Sequence, residues 1–230
     1  MKVLVLDSAL AHRTAAVVVD GEVVAARSEA GTTGGEPKGH ETALPAMARD
    51  VLAEAGIDTT RDGALDLIAT TVGPGSFTGI RACLALGHGL GLACGASVVG
   101  VTVGEAMASA FPRLGARTLW VATASRRGHI FLERGGRVLS LASDALPPAE
   151  GPVAVAGPAA LQVAARLAGR GDDVLLTDAR FPAPRHIALV AERRWRGELA
   201  PLEAWPLYVD PPEARPPAGG LRPPPVTAEP

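Results

Sequence analysis

The stretch VGPGSFTG, residues 72–79, holds the residue types and spacing in this chain that are best suited to chemistry. Gly73-Pro74-Gly75 predicts a tight turn, and Ser76 is a suitable N-cap for a following helix. Free N–H groups at a helix start favour an anion. The stretch lacks the lysine of a P-loop and the glycine spacing of a nucleophile's turn. It therefore predicts a structural strand-to-helix turn or a turn that also touches a phosphate.

A carboxylate and a hydroxyl, Asp7 and Ser8, follow the first apolar run. In nucleotide-binding proteins with duplicated α/β lobes, an acid at this point holds a metal or water beside the phosphates. Asp7 could equally cap the loop that follows, so both interpretations stay open. The candidate phosphate or nucleotide contacts are Asp7, Ser8, Gly75 and Ser76.

The remaining reactive side chains do not form a recognisable catalytic set. The five histidines show neither HxxH nor HxxxH spacing, which argues against a metal site. Cys83 and Cys94 fall on one predicted helix, too far apart to form a disulfide, and are expected to be reduced thiols of a cytoplasm. A hydrolase is suggested only by Ser76 and these thiols. We therefore predict no catalytic residues and no metal.

Net charge and hydropathy indicate where the chain is located and which partners it is expected to bind. The formal net charge is −2, so no global field draws the chain onto nucleic acid. The N-terminal apolar run ends after four residues at Asp7, which is too short for a signal peptide. Residues 84–104 are long enough to span a membrane, but His88 and the turn-like CGAS favour a helix followed by a strand. A cytoplasmic protein without membrane association is expected.

Residues 2–28 and 117–143 share one pattern: strand, polar link, strand, glycine turn, strand. Helices and strands alternate after each. This predicts an α/β protein of two ribonuclease-H-like lobes, the plan of the actin, sugar-kinase and Hsp70 superfamily. A single mixed sheet without duplication is the alternative. The expected division is a first lobe at 1–102, a smaller divergent lobe at 103–210 and a proline-rich flexible tail at 211–230.

Two predicted helices, 40–55 and 76–94, could form an interface. The second carries small residues at i+4 spacing, and each glycine in a helix costs ~1 kcal/mol relative to alanine. Close approach of another helix or strand would offset this cost, within the chain or in a partner. The candidate interface residues are Leu44, Met47, Val51, Gly79, Cys83, Gly87 and Gly91.

Four stretches, in order, resemble the motifs of one family. They are LVLDSA, GHETALPAM, VGPGSFTGIRACLALGHGLGLA and VVGVTVGEAMA. They are similar to DTST, HSExLLP, GRGPGSFTGxRIGxxxAQGLA and GVSxLEALA of the TsaB (YeaZ) family. The match covers residues 2–108, and the second half matches loosely through ASRRGHIF and PLYVD. The chain departs from the family pattern at Val72, Ala124, His129, Phe131 and Asp210.

The resemblance implies a role in making threonylcarbamoyladenosine next to the anticodon of transfer RNA. It implies a required, nonenzymatic subunit that binds a TsaD-like catalytic paralogue through helices 40–55 and 76–94. A TsaE-like ATPase is the other implied partner, and transfer RNA is bound only through the complex. A homodimer is expected where the paralogue is absent. No tightly bound cofactor is expected, and ATP or ADP is the nucleotide considered at the interface.

The catalytic paralogue carries two metal-binding histidines after the equivalent strand. Aligned on GVTVGEAM, their places are Val103 and Met107 here, and neither side chain can replace them as a ligand. The resemblance thus favours the partner subunit over the enzyme. An ATP-dependent kinase or ATPase of the actin-like fold is the alternative, but the expected Gly-Thr phosphate loop and paired carboxylates are missing.

Overall fold

Two five-stranded sheets with the same strand order form the framework. The computed structural model describes residues 1–30, 43–125 and 128–210. In the first sheet three antiparallel strands are followed by two parallel ones, in the order β3-β2-β1-β4-β5. Its strands are β1 (Lys2–Asp7), β2 (His12–Val19), β3 (Glu22–Ala30), β4 (Leu67–Gly73) and β5 (Ser97–Thr102).

The second sheet repeats this plan with the order β8-β7-β6-β9-β10. The first three strands are again antiparallel, and β6, β9 and β10 run parallel. This confirms the predicted fold class of two ribonuclease-H-like lobes and excludes the single mixed sheet. The strands are β6 (Thr118–Ala124), β7 (His129–Arg134), β8 (Arg137–Ala142), β9 (Val153–Ala156) and β10 (Val174–Leu176).

Both predicted hairpin turns are present because their central residues adopt positive φ angles. Asp20 and Gly21 have φ of 50° and 85°, and Gly135 and Gly136 have 54° and 75°. Two positive φ angles give a turn whose twist matches that of the flanking strands. The same local device therefore begins each lobe.

Helices α1 (Ala43–Glu54) and α2 (Phe77–Cys94) cover one face of the first sheet. Leu44 and Val51 of α1 and Cys83 of α2 join a core with Leu4 and Ile68 of the strands. Both helices were predicted at these places. Residues 40–42 of the first predicted helix lie outside the described residues.

The last helix, α5 (Pro184–Trp195), packs on the opposite face of the first sheet. Ile187 and Val190 contact a core formed by Val3 and Val5 of β1. The predicted division at residues 102 and 103 had assigned this helix to the second lobe, and in its packing it belongs to the first. The reason is that its apolar side completes the second face of the first sheet. The division into domains otherwise stays a prediction, as does the tail, residues 211–230, which lies outside the described residues.

Helix α4 (Ala160–Gly169) packs on the second sheet with Val163 and Leu167 against Trp120 and Leu132. A short helix that the sequence analysis did not predict, α3 (Val103–Ala108), lies between the lobes. It begins with a capping box in which Thr102 and Glu105 exchange hydrogen bonds. The spacing T-x-x-E in TVGE is the signal that could have located it.

Candidate functional site

The glycine turn before α2 is closed by the loop that follows β1. The backbone N–H of Ser76 donates to the carbonyl oxygen of Ala9 at 2.7 Å. A Cβ atom on Gly75 would lie 1.9 Å from that oxygen, and one on Gly79 would lie 2.1 Å from the carbonyl oxygen of Ser8. These glycines are required because two backbone segments are in direct contact. The turn is therefore structural, and a phosphate contact at Gly75 or Ser76 stays a prediction.

Asp7 lies beneath this turn rather than in an open cleft. It is 3% exposed, and its Oδ1 atom accepts hydrogen bonds from Thr71 Oγ1 at 2.6 Å and from the backbone N–H of Ala9 at 3.0 Å. Burial raises the pKa of this carboxyl above its usual range, although both hydrogen bonds act in the opposite direction. Ser8 is also buried. The structure thus brings the four candidate phosphate contacts together and covers two of them.

The residues that suggested a hydrolase have structural roles. Ser76 Oγ accepts the backbone N–H of Gly79 at 3.2 Å and caps α2. Cys83 and Cys94 are free and buried. Burial, followed by the charge of Asp7, raises the pKa of the Cys83 thiol far above its usual range. A thiol that stays protonated is a poor nucleophile.

The glycine line of α2 faces the first sheet, not a partner. A Cβ atom on Gly87 would lie 2.7 Å from Thr70 Cγ2, and one on Gly91 would lie 2.7 Å from Val98 Cγ2. The missing side chains let the helix backbone approach β4 and β5 closely. The assignment of Gly79, Cys83, Gly87 and Gly91 to a partner surface is therefore corrected: these residues serve the internal packing that was the open alternative.

The interface residues chosen on α1 are corrected for the same reason. Leu44 and Val51 are 4% and 0% exposed and belong to the core of the first lobe, and Met47 packs against it. An apolar stripe on a helix marks the side that is buried, and here the sheet already buries it. An interface made by other residues of the two helices stays a prediction.

The opposite side of α2 is exposed and carries small or apolar residues. Leu92 is 89% exposed and lies near the end of this line. The exposed small or apolar residues of this side are spaced four, three, four and three positions apart, beginning at Thr78, and this spacing keeps them on one face of the helix. The small residues on both sides of α2 have helical spacing, and this spacing does not show which side is buried, so the exposed side was not predicted. We define the outer α2 face by its exposed members: Thr78, Ala82, Ala85, Gly89 and Leu92.

Aromatic residues and an arginine border this face at the start of α2. The guanidinium carbon of Arg81 lies 3.7 Å from the centre of the Phe77 ring, and Arg81 Nη2 donates to the Tyr208 hydroxyl at 2.7 Å. Phe77 and Tyr208 are 51% and 58% exposed. A shallow cavity of about 400 Å³ is lined by Phe77, Thr78, Arg81 and Ala82. The outer α2 face thus continues into a rim formed by Phe77, Arg81 and Tyr208.

By length and composition alone, α2 could cross a membrane. Its inner face, however, packs on β4, where Gly87 lies against Thr70, and this is the position of a core helix. That packing accounts for the apolar character of the inner side of α2.

The two positions that align with the metal-binding histidines of the catalytic paralogue lie in an apolar cluster between the lobes. Val103 and Met107 of α3 are 0% and 1% exposed and pack with Val72, Val121 and Ala156. Within residues 1–30, 43–125 and 128–210, no group of three or more His, Cys, Asp or Glu side chains could hold a metal ion. The absence of a metal in the protein stays a prediction.

Comparison with known proteins connects this geometry to a family. Residues 34–185 match a family model described as TsaD: tRNA N6-adenosine threonylcarbamoyltransferase. A curated relative, the tRNA threonylcarbamoyladenosine biosynthesis protein TsaB of Escherichia coli (strain K12), is 30% identical over 132 residues. That alignment covers 57% of this chain and 53% of the relative, so the chain spans about half the length of the curated protein it matches.

Two solved structures share the architecture. YeaZ from Pseudomonas aeruginosa is 25% identical with a TM-score of 0.69, over 90% of this chain and 99% of that one. A Pseudomonas aeruginosa protein described as uncharacterized, with similarity to peptidase YEAZ, has a TM-score of 0.70 at 24% identity, over 91% and 99% of the two chains, and shows the fold alone. Together with the family match, these likenesses confirm the resemblance drawn from the motifs. The chain belongs to the family whose model is described as TsaD: tRNA N6-adenosine threonylcarbamoyltransferase, and it is a homologue of TsaB (YeaZ).

Proposed function

We propose that the chain is a nonenzymatic subunit of the machinery that forms threonylcarbamoyladenosine in transfer RNA. The name of its TsaB relative refers to that biosynthesis, and this supports a part for the chain in the same process. The chain's task is to bind a TsaD-like catalytic paralogue in the cytoplasm. A TsaE-like ATPase joins the complex. The chain contacts transfer RNA only as part of that complex.

The observation that carries this proposal is the outer α2 face. A helix that is buried on one side and exposes small and apolar residues on the other is suited to pack against a second helix. Ala82, Ala85 and Gly89 allow close approach, and Leu92 adds apolar area. The outward side of α1 is more polar, with Arg49 and Asp50 exposed, and would form the rim. The same face would support a homodimer when the paralogue is absent.

The nonenzymatic role is supported by the engagement of each candidate reactive group. Asp7 is buried and hydrogen-bonded, Ser76 caps α2, and the Cys83 thiol is held protonated. Val103 and Met107 fill the places of the metal ligands with apolar packing. ATP or ADP at the interface with the paralogue is the nucleotide contact that we propose, with no tightly bound cofactor in the chain alone.

The test is reconstitution with the TsaD-like and TsaE-like proteins of the same organism. We expect a stable complex and threonylcarbamoylation of transfer RNA that depends on this chain. The variant Ala85→Arg places a charge in the centre of the outer α2 face and should weaken the complex at least about tenfold. Its matched control is Ala165→Arg on the exposed side of α4, which should bind normally. Full activity without this chain would refute the proposed function. Normal binding by Ala85→Arg would refute the assignment of the outer α2 face as the binding surface.

A further inference from the structure

A buried carboxylate joins the two lobes. Glu133 lies on β7 of the second sheet and is 5% exposed. Its neighbour Leu132 points into the core beneath α4, so the Glu133 side chain leaves the other face, toward the first lobe. There its Oε1 atom accepts a hydrogen bond from the hydroxyl of Thr102, and its Oε2 atom accepts the backbone N–H of Gly104 at 2.8 Å.

The end of β5 and the start of α3 are shaped to receive this carboxylate. A Cβ atom on Gly104 would lie 2.1 Å from Glu133 Cδ, so the carboxylate occupies the space that any other residue would need. Thr102 also caps α3, because its Oγ1 atom accepts the backbone N–H of Glu105 at 3.0 Å. Through these two hydrogen bonds one carboxylate links β7 of the second lobe to the end of β5 and the start of α3. We refer to Glu133, Thr102 and Gly104 as the lobe joint.

The charges around the joint disfavour an ionised Glu133. Glu105 of α3 is the charged neighbour that faces it, and Glu105 is paired with Arg194 of α5. Arg194 is further occupied by the carbonyl oxygens of Gly100 and Ala200, both at 2.8 Å. The strand neighbours of Glu133, Val121 on β6 and Val138 on β8, carry no charge. Arg194 is thus directed at Glu105 and at backbone carbonyl oxygens rather than at Glu133.

Burial, with a smaller contribution from Glu105, raises the pKa of Glu133 to about 7 from its usual value of 4.5, against the hydrogen bonds from Thr102 and Gly104. Protonation of Oε1 would make this oxygen the donor to Thr102 Oγ1, while Oε2 would still accept the backbone N–H of Gly104. It would also remove the like charge beside Glu105. The ionised carboxylate would be better solvated if the lobes separated there.

We propose that Glu133 makes the contact between the lobes proton-linked, so that the joint is tight when this carboxyl is protonated and loosens when it ionises. A separated joint exposes Glu133 to water and returns its pKa toward 4.5, whereas the joined state has a pKa of about 7. The joined state therefore binds the proton more tightly. The resulting stabilisation is complete below pH 4.5 and is lost as the pH rises through 7. With a pKa of about 7 in the joined state and 4.5 in the separated state, the equilibrium constant for separation of the joint increases about tenfold between pH 6 and pH 8.

The experiment is NMR spectroscopy on the full chain between pH 5.5 and 8.5. We expect the ¹³C signal of the Glu133 carboxyl and the amide signal of Gly104 to titrate together with a midpoint near 7. Residual dipolar couplings should report an orientation between the two sheets that is more averaged at pH 8 than at pH 6. The neutral variant Glu133→Gln should abolish the titration at Gly104 and the pH dependence of the couplings.

The matched control is Glu192→Gln, which neutralises a buried carboxylate on α5 outside the joint. This variant should keep the titration of the Gly104 amide signal and the pH dependence of the residual dipolar couplings. The titration of the unmodified chain tests the proposal even if Glu133→Gln does not fold. A Glu133 midpoint below 5.5, or inter-lobe couplings that are identical at pH 6 and pH 8, would overturn the proposal. The same would follow if the couplings of Glu133→Gln kept the full pH dependence.

Discussion

The helix that follows the fourth strand of each sheet, α2 in the first lobe and α4 in the second, packs on its sheet in a different way. The inner side of α2 carries Gly87 and Gly91, and its backbone lies directly on the strands. The inner side of α4 carries Val163 and Leu167, which fill the space with side chains. The two lobes therefore share a strand order but reach a packed core by opposite means. The shared strand order therefore does not determine how this helix packs on its sheet.

The turns before the two helices agree more closely. The N–H of Ser76 donates to Ala9 O at 2.7 Å, and the N–H of Ala159 donates to Ala122 O at 3.0 Å. Each turn brings a glycine against that carbonyl oxygen, Gly75 in the first lobe and Gly157 in the second. The side chain at the cap differs, because Ser76 caps α2 while Ala159 has no side-chain cap bond. The backbone contact is thus present in both turns, whereas the side-chain cap is present only in the first.

The largest effect is expected from filling the glycine contact of α2. The variant Gly87→Leu adds a side chain where a single Cβ atom would already lie 2.7 Å from Thr70 Cγ2, and it should cost more than about 3 kcal/mol of the free energy of unfolding. Chemical denaturation followed by circular dichroism measures this cost. The control Gly89→Leu lies on the outer α2 face with nothing within 4 Å of its Cβ position and should not destabilise the fold. Equal stability of the two variants would contradict the orientation of α2.

The counterpart in the second lobe is the removal of a side chain. Leu167 of α4 is 0% exposed, so Leu167→Ala should leave a cavity and cost about 3 kcal/mol. The same denaturation experiment tests it, with Leu161→Ala on the exposed side of α4 as the control. If Leu167→Ala were as harmless as its control, α4 would not pack by side chains and the contrast with α2 would be lost.

The similarity of the turns predicts similar costs for two alanine substitutions. In Gly75→Ala the new Cβ would lie 1.9 Å from Ala9 O, and in Gly157→Ala it would lie 2.3 Å from Ala122 O, so each should cost about 2–3 kcal/mol. Melting temperatures of both variants provide the comparison. Gly115, which has nothing within 4 Å of its Cβ position but a φ of +62°, controls for backbone strain alone when it is changed to alanine. A tolerated Gly157→Ala beside a damaging Gly75→Ala would show that only the first turn is constrained.

The smallest effect concerns the cap that distinguishes the two turns. The variant Ser76→Ala removes the acceptor for the N–H of Gly79 and should cost about 1 kcal/mol. Stability measurements detect a loss of this size, and Ser76→Asp, which restores an acceptor, should recover most of it. No loss in Ser76→Ala would mean that the contact between Ser76 N–H and Ala9 O is sufficient to start α2, as the equivalent contact is for α4.

Local patterns predicted much of this fold because they depend on neighbours in the chain. The hairpin turns at Asp20-Gly21 and Gly135-Gly136, the cap at Ser76 and the end of α2 at Gly95 follow from backbone preferences of single residues. The motif around residues 72–79 was specific enough to indicate the family, which the comparisons confirm. The short helix α3 was within reach through its capping box and was missed.

The sequence by itself determined the elements, the repeated strand pattern and the family, since these are written in local spacing and in motifs. Only the tertiary structure decided which side of α2 is buried, on which sheet α5 packs and where Glu133 is directed. Helical periodicity shows which residues share a face but is the same whether that face meets the chain's own sheet or another protein. The choice depends on strands far away in the chain, and the pKa of Glu133 likewise depends on groups from the other lobe.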